Sequence, residues 1–207
     1  MTDRMKRTCV AVILLCLFSL PAVAVSLEEG SQTFIRALER VAVESLTDAT
    51  KPRAERVEAF RKLFNENFAV EAIGRWTLGR NWRQATAEEQ REFLDLFEDL
   101  MVSTYVDRFE QYSGEQVNIV KTVPVDDNRA TVYTELLRPN AADGEPISVL
   151  WRVGRQGDIY KVLDVVVEGA SMSITLQREF TSIIRNTGSV GGLLEELRKK
   201  NAELGKS

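Results

Sequence analysis

The sequence reads as an α+β domain with N-terminal helices, a four-stranded twisted antiparallel sheet and two C-terminal helices. Three observations lead there. Apolar residues recur every three to four positions over residues 28–112 and again over 171–204, which is the helical period. Between about 117 and 167 apolar and polar residues alternate, which is the strand period. The alternating stretches are joined by short turns, and short turns join antiparallel neighbours because parallel ones need a long crossover. A chain of 207 residues with 44% hydrophobic and 28% charged residues has the balance of a globular protein and enough apolar surface to offset chain entropy.

Residues 1–24 read as a cleavable secretory signal and are set apart from the fold. Arg4, Lys6 and Arg7 precede an apolar run from Cys9 to Phe18, and Pro21 introduces the small-x-small segment Ala22-Val23-Ala24. The run is too short for a bilayer, which needs about 20 residues. Both cysteines lie in this leader, and the chain has no histidine. Residues 25–207, read as a single domain, therefore carry neither residue type. That removes Ser-His, Cys-His and His-rich zinc chemistry and leaves the core, not disulfides, to hold the domain. Loss of Asp3, Arg4, Lys6 and Arg7 moves the formal charge from −4 to −6, which argues against nucleic acid or an anionic membrane surface as the main partner. Such a chain suits a bacterial periplasm at least as well as a cell exterior.

The first helix, residues 28–46, places Phe34, Leu38, Val41 and Ser45 on one stripe. After Pro52, residues 53–68 repeat the pattern with Val57, Phe60, Phe64 and Phe68. The segment from Phe68 to Trp82 is rich in aromatics and interrupted by Gly74 and Gly79. Thr86-Ala-Glu-Glu89 is a capping-box signature, opening a third helix that runs to about residue 112 with Phe93, Leu96, Phe97, Leu100, Thr104, Tyr105, Phe109 and Tyr112 on its apolar side. Strands follow at Val117–Val125, Arg129–Leu137, Ile147–Val153 and Ile159–Val167, separated by turn-rich segments. Alternation puts Ile147, Val149, Trp151 and Val153 on one face of the third strand, and Ile159, Lys161, Leu163, Val165 and Val167 on one face of the fourth. Ser171 to about Arg185 and Val190 to Leu204 supply the closing helices, broken at Asn186-Thr187-Gly188.

No catalytic constellation stands out. The paired acids, Glu88-Glu89, Asp126-Asp127 and Glu195-Glu196, fall on polar helix faces or in turns, where a solvated role is the ordinary one. Asp164 and Glu168 lie in the most apolar strand and read as cap or turn contacts at a strand-to-helix junction. An isomerase-like cavity built on Asp164 with Tyr160 or Tyr133 is the enzymatic alternative. Alternation opposes it, since Asp164 and Val165 point to opposite faces. Gly191-Gly192 lacks the Lys-Ser/Thr of a phosphate loop, and no cofactor motif is present.

Apolar and aromatic residues exceed what one thin core requires, and a curved sheet crossed by long amphipathic helices can leave an apolar cavity. The run from Tyr160 through Asp164 and Glu168-Gly169 to Ser171-Met172, with Arg178-Glu179-Phe180, Gly188 and Leu193-Leu194 beyond it, resembles the MlaC family. So does Leu78-Gly-Arg-Asn-Trp82 with Phe93, Phe97 and Tyr105. These are the periplasmic phospholipid-binding components of the maintenance-of-lipid-asymmetry, or toluene-tolerance, system. A hopanoid-associated branch of the superfamily has a similar pattern, and a non-catalytic periplasmic adaptor or chaperone is a further alternative.

The resemblance covers essentially residues 28–204 and implies helices and a twisted sheet enclosing an apolar pocket for acyl chains. It also implies shuttling of lipid between an outer-membrane lipoprotein complex and the MCE-domain protein of an inner-membrane ABC transporter. Alternation and helical stripes nominate Trp76, Tyr105, Phe109, Val149, Trp151, Val165, Val167, Met172 and Leu176 as the lining. Arg75, Arg80, Arg83 and Arg152 are the candidates for the pocket mouth and a phosphate.

Overall fold

The computed structural model describes residues 25–48, 50–111, 114–138 and 145–205. The leader falls outside them. Among the described residues there are six α-helices and five strands: α1 (Leu27–Leu46), α2 (Arg53–Asn67), α3 (Val70–Leu78), α4 (Ala87–Tyr105), β1 (Gln116–Asp126), β2 (Arg129–Leu137), β3 (Ile147–Gln156), β4 (Ile159–Val167), β5 (Ala170–Ser171), α5 (Met172–Thr187) and α6 (Val190–Leu204). Short 3-10 segments at Gly79–Arg83 and Val106–Gln111 follow α3 and α4.

The helix starts follow local chemistry. Ser26, Thr86, Ser171 and Ser189 each accept a backbone N–H of their own first turn. At Thr86 the reciprocal bond from its own N–H to Glu89 completes the capping box. Helix α5 stops at Gly188, whose left-handed backbone (φ 84°) turns the chain toward Ser189.

The sheet is an antiparallel meander in the order β1-β2-β3-β4-β5. The sequence gives four strands, and the fifth is a two-residue return beside β4, with Val166 opposite Ser171. The fold class stands; the strand count is corrected. The segment read as a glycine-interrupted stretch before Trp82 is also corrected, since it forms α3. A Cβ on Gly74 would come within 2.7 Å of Leu94 Cδ2, so this glycine lets α3 lie close on α4 rather than breaking it. The third predicted helix, in turn, changes to 3-10 geometry after Tyr105.

The facing of β4 differs from simple alternation. Arg152 pairs with Asp164 but the next β3 residue, Val153, pairs with Val162. Leu163 is thus an extra residue, and the phase shifts across it. Opposed residues share a face, so Val162, not Lys161 or Leu163, joins Val165 and Val167 on the Trp151 face.

One core runs from the helices to the sheet. Phe93 and Phe97 of α4, Phe180 of α5 and Leu193 and Leu197 of α6 are fully buried among the helices, with Phe93 and Phe180 in edge-on contact at 5.6 Å. Val132, Val153 and Val162, also fully buried, line the sheet face where α2 arrives. There Ala69 donates to Val162 O at 3.0 Å, and Lys161 Nζ caps the last carbonyls of α2 at Asn65 and Glu66.

Candidate lipid-binding pocket

Helix α1 crosses the sheet from β1 to β4, and the space it leaves beside β1–β3 is a cavity. It measures about 610 Å³, within the roughly 300–1,000 Å³ of small-molecule pockets. Ile35, Leu38, Ala42 and Val43 line it from α1, Leu63 and Phe68 from the end of α2, and Phe109 from the 3-10 segment after α4. Val117, Leu136, Ile147 and Trp151 line it from the sheet. The polar members are Glu39, Arg108, Glu115 and Arg138.

The lining is held by a few directional bonds. Trp151 Nε1 donates to Thr134 Oγ1 at 3.1 Å, and Thr134 Oγ1 donates to Val149 O at 2.8 Å. The indole is thereby fixed against the sheet with its N–H satisfied. On the opposite wall, Val117 N–H donates to Glu39 at 3.0 Å, tying α1 to the start of β1. Near Phe109, the Arg108 guanidinium lies over the Tyr105 ring at 5.5 Å, and the Tyr105 hydroxyl lies 3.9 Å from Met172 Sδ. Burial pushes the Tyr105 phenol above its usual range, against the opposing pull of Arg108.

Of the nine lining residues read from the sequence, Phe109 and Trp151 line this pocket. Val165 is the cross-strand partner of Trp151, and Val149 faces Val167 on the same side of the sheet. Tyr105 and Leu176 pack against the core, and Met172 meets Tyr105. Trp76 lies elsewhere. It is 45% exposed and lines a second depression of about 460 Å³ with Ile73, Arg129, Arg152, Leu163 and Asp164.

On α1 the pocket-facing stripe is rotated from the expected one. Val41 is 40% exposed, whereas Ile35, Leu38 and Ala42, also at three-to-four spacing, face the pocket. The expected mouth arginines are placed otherwise too. Arg152 pairs with Asp164 at 2.9 Å, and Arg75 pairs with Glu71 and lies over the Trp82 ring. Arg80 and Arg83 sit in the 3-10 segment after α3. The arginines on the pocket are Arg108 and Arg138.

Asp164 occupies the strand-to-helix junction. It is 6% exposed and accepts from Ser171 Oγ at 2.6 Å, Ser173 N at 3.0 Å and Arg152 Nη1 at 2.9 Å. Glu168 adopts a left-handed backbone (φ 48°) in the turn, where its N–H donates to Ser148 O and its carboxylate accepts the Ser148 N–H. Tyr160 lies against Phe34 and Tyr133 beneath Lys121; no hydrogen bond joins either to Asp164 among the described residues.

The MlaC protein family matches residues 32–199. The chain belongs to the MlaC family. The MlaC binding protein of the intermembrane phospholipid transport system of Haemophilus influenzae is 23% identical over 120 residues, which is 58% of this chain and 56% of that protein. The match thus spans little more than half of that MlaC relative. A crystal structure of the phospholipid-binding protein of Ralstonia solanacearum, in complex with a phospholipid, superposes with a TM-score of 0.72 at 24% identity. It covers 84% of this chain and 98% of that one. This chain therefore shares that protein's fold.

Proposed function

We propose that this protein is a periplasmic lipid carrier that shelters phospholipid acyl chains in the pocket between α1 and the sheet. The observation that carries the reading is the pocket itself: about 610 Å³ with mainly aliphatic and aromatic walls, and charged residues limited to Glu39, Arg108, Glu115 and Arg138. Membership of the MlaC family and the fold shared with a phospholipid-binding protein support it. Among the described residues no helix is long and apolar enough to cross a membrane.

Each methylene moved from a bilayer into water costs about 0.8 kcal/mol, so a diacyl lipid with about thirty of them faces a barrier of roughly 20 kcal/mol or more. Diffusion of free lipid across an aqueous compartment is then negligible. A protein cavity replaces the bilayer as solvent, and transfer needs only a small difference in free energy between carrier and acceptor, because the chains remain buried in both. The donors and acceptors we propose are an outer-membrane lipoprotein complex and the MCE-domain protein of an inner-membrane ABC transporter. Residues 1–24 would direct the chain to the periplasm and be removed there.

Phe109 and Trp151, with Ile35, Leu38, Ala42 and Ile147, form the proposed acyl-chain wall. Val149, Val165 and Val167 continue it along the Trp151 face, and Tyr105, Met172 and Leu176 support it from behind. A steric block tests this. Ala42→Trp fills the cavity from a half-buried position, and Ile147→Glu places a carboxylate in it. Both variants should fold, as judged by circular dichroism and melting, and retain far less lipid from phospholipid vesicles than the wild type. Folded variants with unchanged lipid content would remove this pocket from the function.

A further inference from the structure

We infer that Glu39 is a positioning residue for lipid exchange: its carboxylate fastens α1 to the start of β1 and sets the rate at which the pocket parts along that seam. This rests on the carrier reading above and adds the place where the pocket opens. The two halves of α1 are held by different means. Toward its N-terminus the helix is wedged on β4. A Cβ on Gly30 would overlap the Tyr160 hydroxyl, so the glycine leaves the notch that this phenol fills, and the Phe34 ring stacks on Tyr160 at 6.1 Å. Ser31 and Ile35 beside them are fully buried.

Past Ile35 the helix borders the pocket through Leu38, Glu39, Ala42 and Val43, and there it meets an edge strand. Among the described residues β1 has β2 as its one neighbour in the sheet, so one side of its backbone lies outside the ladder. The Val117 N–H donates to Glu39 Oε1 at 3.0 Å. Both residues are half-buried and both line the pocket, and an ionised acceptor makes this the stronger, charge-assisted kind of bond. The strand is also built to bend nearby. The register shift between Ile119 and Lys121 leaves Val120 unopposed, and such a bulge bends its strand and interrupts the ladder. Gln116 to Ile119 thus form a short lip that can part from α1 while the wedge at Gly30 and Tyr160 keeps the helix on the sheet. The Glu39 bond is made whenever the seam is closed, whether the pocket is filled or empty. It therefore slows uptake and release alike and leaves the equilibrium occupancy unchanged.

The test loads secreted, delipidated protein with phosphatidylglycerol carrying a fluorescent acyl chain and follows transfer to an excess of unlabelled vesicles. Equilibrium occupancy and the melting curve are recorded for each variant. Glu39→Ala should speed loading and release by about ten-fold or more, the effect of losing a charge-assisted bond from the closed form, with occupancy close to that of the wild type. Glu39→Gln keeps the shape and an oxygen acceptor without the charge, and should fall between the two; it carries the test if Glu39→Ala does not fold. Glu44→Ala removes the same charge from an exposed position on the same helix and should exchange at the wild-type rate. Wild-type exchange rates in both Glu39 variants overturn the inference and leave the carrier reading standing. So does an equal acceleration in Glu44→Ala, which would assign the effect to net charge, or a fall in occupancy and melting temperature in step with faster release, which would assign Glu39 to stability alone. Uptake of no lipid by the wild type overturns the carrier reading, and this inference with it.

Discussion

The Trp151 indole N–H donates to the Thr134 hydroxyl across two strands, at 3.1 Å, while that hydroxyl donates onward to Val149 O at 2.8 Å. One buried threonine thus serves as acceptor for the largest side chain on the pocket wall and as donor to the backbone of the neighbouring strand. Thr134 is 3% exposed, so no water replaces it.

Thr134→Val keeps the shape and removes both bonds, leaving the indole N–H without its acceptor. Unfolding in urea should show a loss of about 1–3 kcal/mol, and Trp151 fluorescence should report a less fixed ring. A variant as stable as the wild type would mean that this bond is not needed to fix the indole.

Asp164 ties three elements together through Ser171, Ser173 and Arg152. Asp164→Ala strands the buried Ser171 hydroxyl and the Ser173 N–H, and should destabilise the fold by about 3 kcal/mol. Arg152→Gln should cost less, since Asp164 keeps the bonds from Ser171 Oγ and Ser173 N–H. Equal losses from the two substitutions in chemical denaturation would contradict a role centred on the serine junction.

Alkaline stability should respond to Tyr105. Its folded phenol is held above the ordinary value of about 10 by burial, despite Arg108. The folded state therefore keeps this proton at pH values where the unfolded chain has released it, so the contribution is complete below the unfolded value and is lost as pH rises through the folded one. As the pH rises above about 10, the wild type should lose stability more steeply than Tyr105→Phe. Parallel slopes in denaturant titrations at those pH values would contradict the assignment.

Much of the fold was legible because each element carries its own signal. The capping box at Thr86 and Glu89, the alternation through β2 and β3, and the glycine at 188 each specify local structure without help from distant residues. What escaped depends on contacts between elements. Gly74 reads as a breaker until α4 is beside it, since only Leu94 shows why a side chain is missing there. The extra residue at Leu163 appears only in the pairing of β4 with β3, and it inverts the facing of Tyr160 to Val162 relative to strict alternation. At the pocket, Ala42 and Val43 carry no distinguishing sequence signal, because a cavity is lined by whichever side chains stop short of filling it. Arg108 and Arg138 follow a similar logic: they lie 30 residues apart in sequence and line one pocket only in the folded chain.

Native mass spectrometry asks whether the pocket carries phospholipid. The full chain would be expressed with its leader, purified from the periplasm without detergent, weighed intact and then extracted with solvent. A mass above that of the chain alone is expected, with phospholipid in near-stoichiometric amount in the extract. A clean protein mass, with no uptake when the protein is then offered phospholipid vesicles, would contradict it.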